Sequence, residues 1–148
     1  MRIALFGLPK RTTHFLPVLV QENYKVVALF LSEPHEPYFP QIQALAEAFK
    51  IPCIYPADAA DPTLPGRLHQ LEIDLLVSIN FTKRLPKAIL DAPRRAALNF
   101  HPSLLPKYRG PNPYFWVLRN GEPRTGVTAH VMEETLDTGP IILQKAMD

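Results

Sequence analysis

The chain has 148 residues, of which 47% are apolar and 20% are charged, and its formal net charge is +2. This composition is sufficient for one globular core, is too polar for a membrane protein, and gives no support by charge alone to a nucleic-acid-binding protein. No run approaches the roughly 20 apolar residues of a membrane-spanning helix, and the N-terminus lacks the pattern of a signal peptide, so we expect a cytoplasmic protein.

Short apolar runs alternate with amphipathic stretches through the first part of the chain. A strand is predicted over 3–6, followed by a helix from a cap at Thr12 or Thr13 to about Asn23, with Pro17 in its first or second turn. Strands over 26–31, 51–55 and 75–79 then alternate with helices over 42–49 and 64–71, and a short helical turn covers 86–90. The alternation predicts an α/β fold: a Rossmann-like, doubly wound, mostly parallel sheet with helices on both faces, in one domain.

The one cysteine, Cys53, lies in the third predicted strand. A single cysteine cannot form an internal disulfide, which fits a reducing compartment. Because its neighbours Pro52 and Ile54 are apolar, we expect a buried packing residue rather than a reactive thiol.

The turn after the first strand, Gly7-Leu8-Pro9-Lys10-Arg11-Thr12, does not have the GxGxxG pattern of a dinucleotide-binding turn. It has one glycine where three are needed, and Pro9 has no backbone N–H to donate. NAD binding is therefore not expected. Neither a GxxxxGK[ST] phosphate loop nor a zinc-spaced pair of His or Cys occurs, so no metal is predicted either.

Two side chains with catalytic chemistry follow at the end of the next predicted strand, Leu98-Asn99-Phe100-His101. Pro102 ends strand pairing there, and residues two apart on a strand point to the same side, so Asn99 and His101 are expected to face one cleft. An amide donates two hydrogen bonds, and an imidazole donates, accepts or transfers a proton near neutral pH.

A carboxylate is expected to reach the same cleft from farther along the chain. Residues 125–132 are predicted to form a strand, 133–140 a polar loop, and 141–143 the start of the next strand. Asp137 lies on that loop, from which it could reach His101. Considered singly, Asn99 and Asp137 are more typical of turns and His101 of a hydrogen-bonded structural histidine, so the functional interpretation depends on all three together.

Other candidate residues have a structural and a functional interpretation, and we expect the structural one in each case. The remaining histidines are expected to be surface or packing residues: His14, His35, His69 and His130. The basic residues are expected to form ordinary solvated surface rather than a rim that attracts a phosphorylated or carboxylated ligand: Lys10, Arg11, Arg94, Arg95, Lys107 and Arg109. The aromatic run Tyr114-Phe115-Trp116 is expected to begin a helix and pack in the core rather than stack on a ligand.

The most specific motifs lie in the last third of the chain. Asn99-Phe100-His101-Pro102-Ser103-Leu104-Leu105-Pro106 is followed by Tyr108-Arg109-Gly110 and, about thirty residues on, by Leu136-Asp137-Thr138-Gly139. These motifs, in this order and spacing, resemble the 10-formyltetrahydrofolate-dependent formyltransferases. That family includes methionyl-tRNA formyltransferase, glycinamide ribonucleotide formyltransferase and the amino-sugar N-formyltransferases. The resemblance runs through the whole chain.

The resemblance implies a catalytic set of Asn99, His101 and Asp137. A primary amine would attack the formyl carbon, and the tetrahedral intermediate would carry a negative oxygen that Asn99 and a protonated His101 stabilise by hydrogen bonds. Asp137 would place negative charge beside the imidazole and help to take a proton from the attacking amine, directly or through water. No metal is required.

The resemblance also implies a formyl donor, 10-formyltetrahydrofolate, and residues that bind it. The pterin pocket would be lined by Phe81, Thr82, Arg84 and Leu85, largely through backbone groups. Ser103, Leu104, Leu105 and Pro106 would flank the cofactor. Tyr108, Arg109 and Gly110 would contact the substrate. Arg84 departs from the apolar residue usual in tRNA-type members, which would alter the rim of the pocket.

The amine acceptor is left open between two classes. Methionyl-tRNA formyltransferases usually carry a longer basic insertion after the second strand, whereas residues 32–40 are here short and acidic and would repel tRNA phosphates. A small amine, such as an amino sugar on a nucleotide, and methionyl-tRNA are therefore both retained. A non-catalytic folate-binding or interaction module of the same fold is the alternative, and hydrolysis of the same donor is a variant.

The family's catalytic domain continues beyond the strand that begins at residue 141. We therefore expect residues 1–148 to form a formyltransferase catalytic domain that lacks C-terminal elements. Apolar sheet surface would then be exposed, which predicts self-association or a further partner domain.

Overall fold

A computed structural model describes residues 1–32, 37–55 and 57–147. The chain divides into two compact units, unit 1 (Met1–Ala97) and unit 2 (Leu98–Asp148). His35 and part of the acidic segment 32–40 lie outside the described residues, so the expectations for them stay predictions.

Unit 1 is built on parallel strands in the order β3-β2-β1-β4. Their bounds are β1 (Arg2–Gly7), β2 (Lys25–Leu31), β3 (Cys53–Ile54) and β4 (Leu75–Ile79). The central strands are continuous apolar runs because parallel strands are covered on both faces, and Leu5, Leu29 and Leu76 are completely buried. β3 is shorter than predicted, with two residues, because Pro52 has no N–H to donate to a ladder.

The helices of unit 1 connect these strands. Their bounds are α1 (Pro9–Gln21), α2 (Phe39–Ala48), α3 (Leu64–Gln70) and α4 (Lys87–Leu90). The predicted start of α1 was wrong: the helix begins at Pro9, which is favoured at the first helical position, and Thr13 instead donates its hydroxyl to the Pro9 carbonyl. Pro17 consequently lies in the third turn rather than in the first two.

Unit 2 is antiparallel, with the strand order β5-β6-β7. Its elements are β5 (Ala96–His101), of which the first two residues belong to unit 1, α5 (Pro113–Arg119), β6 (Thr125–Val131) and β7 (Ile141–Met147). The register places Asn99 opposite His130 and His101 opposite Thr128. The predicted α/β fold with a mostly parallel sheet is confirmed, and its antiparallel part is confined to unit 2.

The predicted core packing of the aromatic run on α5 was wrong. Tyr114, Phe115 and Trp116 are 39%, 54% and 45% exposed, because α5 turns Pro113 and Val117, four residues apart, toward the interior. Phe115 and Trp116 meet edge to face instead, and the Arg119 guanidinium lies over both rings.

β7 is exposed along its whole length, including the apolar side chains of Ile141, Ile142 and Leu143. Self-association or a further partner domain stays a prediction. Across residues 1–32, 37–55 and 57–147, no helix combines the length and apolar character needed to cross a bilayer.

Two glycines should respond oppositely to replacement by alanine. A Cβ at Gly126 on β6 would overlap the backbone oxygen of Lys145 and press on the Leu104 side chain, so Gly126→Ala should lower the free energy of unfolding by about 1–3 kcal/mol. Gly66 in α3 has open space around it, and Gly66→Ala should raise that free energy by about 0.5–1 kcal/mol. Urea unfolding measures both; a stable Gly126→Ala variant would contradict the close approach of β6 and β7.

Candidate active site

The end of β5 presents the first two side chains of the site. His101 is the last residue of the strand and is 5% exposed, while Asn99, two residues earlier, is half-buried. The strand ends there because Pro102 has no N–H for the ladder. The antiparallel partner β6 brings His130 directly opposite Asn99, where cross-strand side chains touch.

Asp137 enters from the loop between β6 and β7. Its φ of 54° is left-handed, a conformation that aspartate tolerates better than most residues. A Cβ at Gly139 would overlap the Val131 carbonyl oxygen, so glycine is what lets the loop return this close to β6. The Gly110 N–H donates to Asp137 Oδ2 at 2.8 Å, and Asp137 is 7% exposed.

The three residues predicted from the sequence meet in space. His101 Nδ1 lies 3.4 Å from Asp137 Oδ2, and Asn99 Nδ2 donates to Asp137 Oδ1 at 3.3 Å. An amide, an imidazole and a carboxylate thus converge within unit 2, as the spacing of their motifs predicts.

His130 belongs to the same cluster and was missed from the sequence. Its Nε2 lies 3.4 Å from Asp137 Oδ1 and 3.3 Å from Asn99 Nδ2, and the residue is 1% exposed. The interpretation as a packing residue without connection to the site was therefore incomplete. The register of β6 against β5 determines this placement, and a strand pattern alone gives no register.

The two backbone carbonyls beside the imidazoles determine which ring nitrogen carries a proton. His101 Nε2 lies 2.7 Å from the Tyr108 carbonyl oxygen and His130 Nδ1 lies 2.8 Å from the Val131 carbonyl oxygen. Because a carbonyl only accepts, each of these nitrogens is the donor. Each ring is thereby anchored by one N–H and turns its other nitrogen toward Asp137.

Burial and hydrogen bonding act against each other on the ionisable groups. Burial raises the pKa of Asp137, but hydrogen bonds from His130 and Gly110 and the charge of His101 outweigh it and hold the pKa below its usual value. Burial lowers the pKa of His130, but the hydrogen bonds to Asp137 and Val131 outweigh it and leave that pKa above its usual value.

A buried polar network holds the loop that follows His101. Thr128 donates its hydroxyl to the Ser103 carbonyl at 2.7 Å and accepts from the Leu105 N–H at 3.1 Å. Gln144 donates to both Thr128 Oγ1 and the Leu105 carbonyl. Ser103 is completely buried and donates its hydroxyl to the Lys107 carbonyl. Ser103 and Leu105 therefore shape the loop through internal bonds.

The remaining residues predicted to bind the cofactor fall into two groups. In unit 2, Leu104 is half-buried and Pro106 is exposed, so both have surface for a ligand. In unit 1, Phe81, Thr82 and Arg84 have exposed or half-exposed surface, while Leu85 is buried. The predicted substrate-binding residues also differ from one another. Tyr108 and Gly110 serve His101 and Asp137 through their backbones, whereas the Arg109 side chain is exposed.

The other candidates have ordinary structural surroundings. Lys107 pairs with Glu122 at 3.0 Å and Arg94 with Glu72 at 2.7 Å, as in a solvated surface. His14 and His69 are exposed.

Cys53 is half-buried, and burial raises the pKa of its thiol, which disfavours the reactive thiolate. Within the described part of the chain, no three His, Cys, Asp or Glu side chains are arranged to hold a metal ion.

A comparison with protein families matches the chain to one of them over its whole length, residues 1–148, and that family is described as formyl transferase. The chain belongs to the formyl transferase family. Formyl transferases that match it in sequence include the methionyl-tRNA formyltransferase of Syntrophus aciditrophicus, 38% identical over 150 residues, which cover 97% of this chain and 48% of that protein. That of Thermotoga maritima is 36% identical over 152 residues, covering 98% of this chain and 48% of that protein. The chain thus spans about half the length of the curated relatives it matches.

Two solved structures share the fold of this chain. Phosphoribosylglycinamide formyltransferase from Bacillus halodurans is 26% identical with a TM-score of 0.80, and the match covers 99% of this chain and 79% of that one. A formyltetrahydrofolate deformylase from Pseudomonas syringae has a TM-score of 0.81 at 20% identity, covering 99% of this chain and 50% of that one. The second likeness supports the fold alone.

Removal of the Thr128 hydroxyl should destabilise unit 2. Thr128→Val leaves the buried Leu105 N–H and Ser103 carbonyl without this hydrogen-bond partner, each at a cost of about 1–3 kcal/mol, so the free energy of unfolding should fall by about 2–6 kcal/mol. Thr135→Val, at an exposed loop position, should change it by less than about 0.5 kcal/mol. Urea unfolding measures both, and equal stability of the two variants would contradict the network.

Stability should depend on pH through His130. Because the pKa of His130 is raised on folding, its stabilisation is complete below the ordinary pKa of about 6.5 and is lost as pH rises through the folded value. His130→Asn should therefore lose more free energy of unfolding, relative to the parent chain, at about pH 5.5 than at about pH 8.5. In an Asp137→Asn background this pH dependence should shrink, since the carboxylate is the main favourable cause.

Proposed function

We propose that the chain catalyses formyl transfer from 10-formyltetrahydrofolate to a primary amine. The observation that supports it is the convergence of Asn99, His101 and Asp137 at the distances of 3.3 and 3.4 Å, within a member of the formyl transferase family. In this reaction the amine nitrogen forms a bond to the formyl carbon, the bond from that carbon to N10 of the folate breaks, and a proton passes from the amine to N10.

The proposed role of His101 depends on which ring nitrogen is free to meet the substrate once the other has bonded to the Tyr108 carbonyl. Since Nε2–H is donated to the Tyr108 carbonyl, Nδ1 is the atom that would act on the substrate. The 3.4 Å separation of Nδ1 from Asp137 is longer than a good charge-assisted hydrogen bond, so a substrate oxygen can compete for that proton. A protonated Nδ1 would thereby stabilise the negative oxygen that develops on the formyl group.

Asn99 would supply the second donor, and Asp137 would accept the proton of the amine. Asn99 is half-buried whereas the other members of the cluster are buried, so it has the most surface for a ligand. The carboxylate of Asp137 stays ionised in the ordinary pH range because its pKa is lowered. An ionised carboxylate within reach of the amine can take its proton directly or through water.

The segment 81–86 fits the recognition of a pterin by backbone groups. It lies outside the helices and strands of unit 1, so its peptide groups are not committed to secondary structure. Phe81 packs edge to face on Phe6 and Leu85 is buried, which fixes the segment on the core at both ends. The residues of unit 1 proposed to line the pterin pocket are therefore Phe81, Thr82, Arg84 and Leu85. Separately, the residues of unit 2 proposed to flank the formyl donor are Ser103, Leu104, Leu105 and Pro106.

Two acceptor classes are proposed, and different observations favour them. The relatives of the chain at 34–38% identity are named methionyl-tRNA formyltransferases, which favours methionyl-tRNA. The short acidic segment 32–40 favours a small amine, such as an amino sugar on a nucleotide, because it would repel tRNA phosphates. A further partner domain and a cytoplasmic location stay predictions.

The catalytic assignment makes a kinetic prediction. With the formyl donor in excess, Asn99→Ala should lower kcat on the order of 100-fold, and His101→Ala should abolish turnover, because each loses a donor to the developing oxyanion. Release of the deformylated folate is followed by absorbance against a panel containing an amino-sugar nucleotide and methionyl-tRNA. The exposed-site variant His14→Ala is the matched control and should retain parent activity.

Calorimetric titration with a stable 10-formyl folate analogue separates the alternatives. Binding of the analogue without turnover of any acceptor would favour a non-catalytic folate-binding module. Absence of binding would contradict the proposed donor. Turnover without an amine would indicate hydrolysis.

A further inference from the structure

His130 is a buried ionisable side chain of the cluster that has no part in the proposed reaction. The residue is 1% exposed, and both ring nitrogens have partners: the Val131 carbonyl on one side, Asn99 and Asp137 on the other. A histidine placed this close to two reacting groups, yet anchored away from solvent, is suited to hold them in position.

We propose that His130 is a positioning residue for formyl transfer: its neutral ring accepts a hydrogen bond from Asn99 and orients that amide so that one Asn99 N–H remains available to the formyl oxygen. The inference rests on the proposed function, because the formyl oxygen is the ligand that this N–H would meet.

The His130 ring has a defined tautomer when it is neutral. The Val131 carbonyl, 2.8 Å from Nδ1, can only accept, so the proton of the neutral ring is on Nδ1. Nε2 is then an acceptor, and the Asn99 amide nitrogen 3.3 Å away is its donor. This arrangement requires that Asn99 turn its NH₂ group, and not its oxygen, toward His130.

The Asn99 amide is oriented by two acceptors that lie close together. Asp137 Oδ1 also accepts from Asn99 Nδ2 at 3.3 Å, and it lies 3.4 Å from His130 Nε2. The three atoms form a nearly equilateral triangle, so the two acceptors lie about 60° apart as seen from Nδ2. The two N–H bonds of a primary amide diverge by about twice that angle, so the proposed orientation directs one N–H between the two acceptors, which share it, and leaves the second for a ligand.

A ligand has more surface to meet at Asn99 than at its two acceptors. Asn99 is half-buried, whereas His130 and Asp137 are buried, and the proposal assigns the second N–H to the exposed part of Asn99. Without the imidazole, Asp137 would be the one remaining hydrogen-bond partner of the amide among the described residues, and the carboxylate would lose one of the groups packed against it. The donor geometry would then loosen, and a displacement of about 1 Å can cost on the order of 100-fold in rate.

Two replacements of His130 distinguish its proposed role in orienting Asn99 from a general contribution to packing. An asparagine keeps an N–H near the position of Nδ1 but has no atom at Nε2, whereas a glutamine reaches the Nε2 position with an oxygen that accepts. We expect His130→Asn to lower kcat on the order of 100-fold with little change in the KM for the amine. His130→Gln should recover most of that loss, and His69→Gln, at an exposed position on α3, should match the parent chain.

The kinetic result would overturn the proposal in either of two ways: parent-like kcat in His130→Asn, or an equal loss in the asparagine and glutamine variants. Thermal unfolding of each variant, well above the assay temperature, excludes a loss caused by unfolding. If the asparagine variant does not fold, the glutamine variant and the spectroscopic measurement that follows decide the matter.

A readout independent of activity is the nitrogen NMR of the His130 ring. The neutral ring should be the Nδ1–H tautomer, and Asp137→Asn should lower the pKa of His130 because the carboxylate holds it up. An Nε2–H tautomer would overturn the positioning role whether or not the chain transfers formyl groups. Failure of the parent chain to transfer formyl, with the Nδ1–H tautomer present, would contradict the proposed function alone.

Discussion

The arrangement of the site depends on how the buried negative charge of the Asp137 carboxylate is stabilised. Asp137 is almost completely removed from water, which is costly for a charge unless it is paired and hydrogen-bonded on each side. Its two oxygens have separate partners, since Oδ2 meets the Gly110 N–H and His101 while Oδ1 meets Asn99 and His130. The carboxylate therefore determines where both imidazoles and the amide lie, and the pKa shifts of Asp137 and His130 follow from the same contacts.

The antiparallel strands of unit 2 bring together the groups that stabilise this charge. Pairing of β5 with β6 places His130 opposite Asn99 and Thr128 opposite His101, so one β6 side chain joins the cluster and the other secures the loop after β5. That loop in turn supplies the Tyr108 carbonyl and the Gly110 N–H. The site is thus built from backbone groups as much as from side chains. Contacts made by the backbone do not depend on which amino acid occupies the position, so the sequence does not reveal them.

The sequence predicts those features of the structure that local interactions determine, and not those that depend on tertiary contacts. The central strands of unit 1 were predicted to within a residue or two, because buried parallel strands are continuous apolar runs. The convergence of Asn99 and His101 follows from strand periodicity, and Asp137 joins them as the motif spacing indicated. His130 and the outward face of α5 were not predicted, since strand register and the buried side of a short helix depend on tertiary contacts.

The close approach of Gly139 to Val131 has a consequence for how this family can diversify. The Val131 N–H donates to the Pro140 carbonyl at 2.9 Å, so the chain between them leaves β6 and returns to nearly the same point. Residues 133–136 are exposed and precede Asp137, whose position is fixed by its hydrogen bonds. Insertions among them would therefore lengthen a surface loop without moving the carboxylate. Lineages could therefore change the length of this loop while Asp137 and the side chains that it contacts keep their positions.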